Sequence, residues 1–154
     1  MKSAMLCFVI LISLSPFPVE VAAQCTCGPR YDNMPAINEF RVRDVVFVGK
    51  VISVRKTVPD RRNNSYTQIV NFEVTQLWKG EVGQTVTITN VIQGCINSFK
   101  AKEEYLVYAY KSRNEKLGTG CCCSRTKPLS KAMKDLEEFS ESGEKPRQVQ
   151  SRKG

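Results

Sequence analysis

The chain has 154 residues and a formal net charge of +8. That length suits one domain and is short for two, so any function must share a single core. Histidine is absent altogether, which excludes histidine-based nucleophile, acid/base and zinc-ligand arrangements.

The first residues read as a secretory signal. Lys2 supplies the positive end, Met5 to Leu14 is an apolar run of about ten residues, Pro16 and Pro18 end it, and Val21-Ala22-Ala23 offers the small residues that signal peptidase requires. A membrane-spanning helix needs about twenty apolar residues, and no later segment is apolar enough. The expectation is a signal peptide over residues 1–24, cleaved after 23 or 24, and a secreted, extracellular chain with no membrane span. Cleavage removes Cys7 and leaves Cys25, Cys27, Cys95, Cys121, Cys122 and Cys123, an even set that reads as disulfides in an oxidising compartment. Asn63-Asn64-Ser65 is an N-glycosylation acceptor within the polar stretch from Pro59 to Ser65.

From Asp44 onward the pattern predicts strands. Val45 to Val48 and Val51 to Val54 are rich in β-branched residues, with Gly49 between them as a bulge or close-packing point of one long, bent strand. After the polar loop Arg55 to Ser65, the segment Tyr66 to Trp78 puts Tyr66, Val70, Phe72, Val74 and Trp78 on one face and Thr67, Asn71, Glu73 and Thr75 on the other. Lys79 to Gly83 is a turn, Thr85 to Val91 a third strand, Tyr105 to Tyr110 a central fourth strand apolar on both faces, and Asn114 to Thr119 a short fifth. After Pro128 the period becomes helical: Leu129, Ala132, Met133, Leu136 and Phe139 form an apolar stripe expected to pack on the strands, with Lys131, Lys134, Asp135, Glu137 and Glu138 between them. Val149 is the one sizeable apolar side chain beyond Ser140, so residues 141–154 read as a disordered polar tail after a domain spanning 25–140. Five short strands and a helix predict a mainly β fold, a five-stranded OB-type barrel with a C-terminal amphipathic helix, stapled by disulfides. A two-sheet sandwich wants about seven strands.

Four segments stand in a fixed order: Cys25-Thr26-Cys27-Gly28-Pro29, Asp44 to Val51, Tyr105 to Ala109, and Cys123 to Leu129, with a lone Cys95 after the third strand. Together they resemble the N-terminal, netrin-like domain of the tissue inhibitors of metalloproteinases, in a single-domain form. The resemblance covers Cys25 to about Phe139. It implies an OB-type (netrin-like) barrel with the Cys-x-Cys segment fastened to its surface by bridges Cys25–Cys95 and Cys27–Cys123. It further implies that the free α-amino nitrogen and carbonyl oxygen of Cys25 chelate the zinc of a matrix-metalloprotease-type enzyme. The chain needs no cofactor of its own for this. A catalytic zinc keeps one open position, normally held by water, which this chelation takes. Thr26 would enter the first primed-side pocket, with Gly28, Pro29, Gln93 and Gly94 in contact beside it. Bridges at the wedge would reduce the ordering entropy lost on binding.

The sequence departs from the family pattern at three places. Cleavage after Ala23 leaves Gln24 first and makes the Cys25 nitrogen an amide, a poor zinc ligand, whereas cleavage after Gln24 frees it. The third bridge and second domain of two-domain members are not represented. Cys121 and Cys122 have no assigned partners; a vicinal bridge, exchange with Cys123 and a link between two chains all remain open.

A different class of function is a non-inhibitory netrin-like module that binds matrix or sulfated glycosaminoglycans. Arg41, Arg43, Lys50, Arg55, Lys56, Arg61, Arg62, Lys127, Lys131 and Lys134 supply the positive charge for it. Nucleic acid is not an expected partner, because a secreted chain is kept from most of it and a fold alone does not assign a ligand. Nor is an enzyme expected, since no nucleophile and base survive the absence of histidine and the oxidation of the thiols.

Overall fold

The computed structural model describes residues 34–60, 62, 65–92, 98–120 and 123–149. Among these, α1 spans Ala36–Val42, β1 Val45–Lys56, β2 Tyr66–Lys79, β3 Thr85–Ile92, β4 Glu104–Lys111, β5 Leu117–Gly118, β6 Lys127–Pro128 and α2 Met133–Glu141, with a 3₁₀ turn over Leu129–Lys131. The sheet order is β1-β2-β3-β5-β4-β6, and β1 also pairs with β4. That extra pairing closes a barrel of five strands, with β6 pairing the start of β4 at Tyr105 and Leu106 and β5 pairing its end at Tyr110 and Lys111. All pairings are antiparallel except β3 with β5. The mainly β barrel and C-terminal helix agree with the expectation from sequence.

The first strand is long and bent, as its composition predicts. Its start pairs with β4 through Val45–Lys50, and its whole length runs along β2. Three register shifts interrupt the pairing with β2, one of them at Val48/Gly49. A Cβ on Gly49 would lie 2.9 Å from the Phe47 ring and 3.0 Å from the Glu73 carbonyl oxygen. No larger side chain fits there without displacing a neighbour.

These shifts correct the predicted face of Trp78. Gly49 pairs with Val74 but Val48 with Gln76, so Thr75 is an extra residue on β2 and the inward parity changes after it. Val70, Phe72, Val74 and Leu77 consequently belong to the barrel core, and Trp78 to a second core beneath the helices. The fifth strand is also shorter than predicted, because a tight turn ties Ser112 N–H to the Lys116 carbonyl at 2.9 Å and leaves Leu117–Gly118 alone to pair.

Inside the barrel, Phe47, Phe72, Phe99 and Tyr105 pack edge to face at centroid separations of 5.0 to 6.4 Å. Outside it, Phe139 of α2 is fully buried against Phe40, Trp78 and Tyr108. The predicted apolar stripe holds for Leu129, Ala132, Leu136 and Phe139, while Met133 is 58% exposed. Asp135 takes a place on that stripe and is 1% exposed.

Helix α1 has no counterpart in the strand pattern. Its seven residues follow Pro35 with no side-chain cap of their own. Instead the Glu138 carboxylate of α2 accepts from the N–H groups of Ala36 and Ile37 at 3.0 and 3.1 Å, which satisfies two of the orphan donors of the first turn and places negative charge at the helix's positive end.

The expected disordered tail is corrected over 141–149. Glu141 ends α2, and Arg147 pairs with Leu77 through two backbone bonds of 2.9 and 2.8 Å. The Arg147 guanidinium also donates to the Gly80 carbonyl at 2.7 Å, and Val149 packs on the barrel core. Polar composition concealed this strap because backbone pairing holds it. Residues 150–154 lie outside the described residues.

Candidate functional site

Of the residues predicted to act, Cys25, Thr26, Cys27, Gly28, Pro29, Gln93, Gly94, Cys95, Cys121, Cys122, Asn63 and Arg61 lie outside the described residues. What the fold does define is the scaffold flanking them: Met34, Ile92, Ser98, Gly120 and Cys123. Cys123 is half-buried and disulfide-bonded, and its partner lies outside the described residues.

The ends of β3 and β5 are held together. Asn90 Nδ2 donates to the Thr119 hydroxyl at 3.1 Å, and Thr119 N–H donates to Asn90 Oδ1 at 2.9 Å. Both side chains are buried, so the strand ends leading to Gln93 and to Cys121 share a reciprocal bond shielded from water. On the far side of 93–97, Phe99 plugs the barrel core. The Tyr105 hydroxyl donates to Glu103 at 2.7 Å and accepts from Lys100 N–H at 3.0 Å. Burial, then the bond to Glu103, pushes that hydroxyl up to about 12.

The segment after Cys123 is fixed by a second network. Tyr108 N–H donates to the Thr126 hydroxyl at 2.9 Å, and Thr126 N–H donates to Ser124 Oγ at 3.2 Å. Lys127–Pro128 pair with Tyr105 and Leu106. At the centre Asp135 accepts from Tyr108 Oη at 2.7 Å, from Lys127 Nζ at 3.0 Å, and from Arg125 Nε and Nη2 at 3.3 and 3.1 Å. Burial alone would raise the Asp135 pKa, but the bonds from Arg125, Tyr108 and Lys127 outweigh it and hold the carboxyl below its ordinary value. Tyr108 is pushed well above the usual phenol range by burial and by the carboxylate it donates to.

Arg125 extends this network to Met34, two residues before α1. Its Nη1 donates to the Met34 carbonyl at 2.6 Å, and its backbone N–H approaches Glu39 Oε1 at 3.4 Å. Glu39, buried on α1, also accepts from Arg43 at 2.8 and 3.0 Å. The strand pattern and charge count alone single out neither Asp135 nor Arg125. One signal did exist: Asp135 stands three residues after Ala132 and four before Phe139, within the helix's buried stripe.

The predicted basic surface is only partly free. Arg41, Lys50, Arg55, Lys56, Arg62, Lys131 and Lys134 are exposed, whereas Arg43 and Lys127 turn toward the buried carboxylates of Glu39 and Asp135. Among the described residues no helix is long and apolar enough to cross a membrane. Against known proteins, no family model matches the chain and no curated protein matches it, so the functional reading rests on the chain's own residues.

Proposed function

We propose that the chain is a secreted metalloprotease inhibitor, built on a netrin-like variant of the OB barrel, that enters a protease active site with Cys25-Thr26-Cys27. The observation that carries the reading is the meeting of Met34 and the Cys123 segment. Arg125, two residues after a disulfide-bonded cysteine, holds the carbonyl of Met34, seven residues after Cys27 in the sequence. A wedge bridged through Cys27 to Cys123 would leave the barrel beside that anchor. The closed five-strand barrel with its C-terminal helix is compatible with this fold.

In this mechanism the inhibitor's own atoms act as ligands and as positioning groups. The α-amino nitrogen and carbonyl oxygen of Cys25 would chelate the protease zinc as two ligands in place of its bound water, the coordination expanding by one. The amine must be unacylated to offer a lone pair, so removal of Gln24 is required. Thr26 enters the primed-side pocket, with Gly28, Pro29, Gln93 and Gly94 beside it. Bridges Cys25–Cys95 and Cys27–Cys123 hold the wedge before it meets the enzyme, which limits the ordering entropy lost on binding.

The test compares secreted protein whose N-terminus is established by mass spectrometry as Cys25 with protein that retains Gln24, in a fluorogenic-peptide assay against a matrix metalloprotease. The expected result is inhibition by the Cys25 form and its loss in the Gln24 form. Full protease activity at micromolar Cys25-initiated protein refutes the proposal.

A further inference from the structure

Away from the helices, the outer face of the barrel is built mostly of hydroxyl and amide side chains. Both helices pack on the second core, over Val46, Val48, Trp78, Leu106 and Tyr108, whereas Arg55 and Thr87, on the other halves of their strands, are exposed. The register there lines up two rows across β1, β2 and β3, Ser53–Asn71–Thr87 and Arg55–Ile69–Thr89. They alternate with the core residues Val70, Phe72 and Ile88 and so face outward. Asn71 Nδ2 donates to Ser53 Oγ at 2.9 Å, and Thr87 Oγ1 donates to Asn71 Oδ1 at 2.8 Å. This fixed ladder keeps a second amide proton and the Ser53 hydroxyl proton for a ligand. Tyr110 extends the second row. It pairs with Gly118, where a Cβ would lie 3.1 Å from the Thr89 carbonyl oxygen and 3.2 Å from Tyr110 Oη. The glycine thus lets the tyrosine side chain lie across β5 toward β3, where it stays 37% exposed. Neither row carries an acidic side chain. Arg55 stands at one end, and at the other the Arg43 guanidinium lies 5.9 Å from the Tyr110 ring centroid. Glu73, the acid of β2, stands opposite Lys50 in a separate row.

We propose that this face binds a linear glycan that carries carboxylates, an unsulfated polysaccharide containing uronic acid. A sugar ring offers an apolar face to an aromatic ring and hydroxyls around its edge. Tyr110 beside Thr89, Thr87 and Asn71 presents the matching set. The cations at the two ends complement carboxylates spaced along such a chain, and the absence of acidic side chains from both rows removes the repulsion that would oppose them. A protein partner fits less well, because stable protein interfaces centre on desolvated apolar anchors. Ile69 is the one apolar side chain in the two rows, and it is half-buried. The site stands on the strands alone and does not depend on the inhibitor reading.

The probe is a hyaluronan octasaccharide titrated into isotopically labelled protein and followed by amide chemical shifts, with a heparin octasaccharide as the sulfated comparison. Shifts are expected at Asn71, Thr87, Thr89 and Gly118. Tyr110→Ala should raise Kd about tenfold, while Tyr110→Phe, which keeps the ring, should stay within about twofold of the wild type. Thr87→Val/Thr89→Val should raise Kd about fivefold at an unchanged urea midpoint, because valine suits a strand and only the hydroxyls are lost. Arg55→Gln should weaken binding and flatten its dependence on salt. If Tyr110→Ala folds poorly, the threonine pair decides. Absence of shifts at millimolar hyaluronan, or an affinity indifferent to Tyr110 and to both threonines, overturns the site. So does tighter binding of heparin that survives Tyr110→Ala, which is the mark of charge attraction alone.

Discussion

Replacing Asp135 by asparagine keeps the side chain's shape and removes the charge on which three donors converge. Breaking a buried ion pair costs about 3–5 kcal/mol. Arg125 and Lys127 retain 17% and 27% side-chain exposure and can turn partly to water, and the amide oxygen still accepts from Tyr108. The loss should therefore fall at the low end, about 3 kcal/mol near neutral pH. Urea unfolding followed by the fluorescence of Trp78, the single tryptophan, measures it, since that ring is buried 5.4 Å from Phe139 on the same helix as Asp135. The sign of the pH dependence follows from the lowered carboxyl pKa. A group whose folded-state pKa lies below its unfolded value stabilises fully above the unfolded value, about 3.9 for aspartate, and loses that contribution as pH falls through the folded one. The gap between wild type and Asp135→Asn should be constant above about pH 5 and narrow on acidification. A loss below about 1 kcal/mol, or a gap that does not change with acid, refutes the reasoning.

Gly80→Ala places a Cβ against the Asp44 carbonyl oxygen at a backbone φ of +85°, and thermal melting should show a loss of about 2 kcal/mol or more. Ending the chain after Glu144 removes the Arg147 bonds to Leu77 and Gly80 and the packing of Val149. The expected cost in urea unfolding is about 2–3 kcal/mol, with the strand signature in circular dichroism retained.

Strand positions were legible wherever one face or both are apolar over a whole strand, as in Val45 to Val54 and Tyr105 to Tyr110. The change of face between Val74 and Leu77 was not, because a bulge depends on the partner strand and no local residue type announces it. Helix α1 escaped for a related reason: its first N–H groups are satisfied by Glu138, about a hundred residues away, and seven residues carry little periodic signal. The strap around Arg147 is held by main-chain bonds, which composition does not report. At the candidate site the cysteine order pointed to the Cys123 segment, and Cys123 is disulfide-bonded. The network behind it stayed hidden, since Asp135 and Arg125 look like ordinary solvated charges until the fold buries them together.

Along β1, Val45 and Phe47 face the barrel interior while Val46 and Val48 face the helices, and along β4 Tyr105, Val107 and Ala109 alternate in the same way with Leu106 and Tyr108. Each strand is thus a shared wall between two apolar compartments. Loosening either compartment strips cover from the same backbone, so barrel and helical layer are expected to unfold as one cooperative unit. The amides of β1 and β4 would then be the last to exchange with solvent deuterium, at the free energy of global unfolding rather than of local fraying.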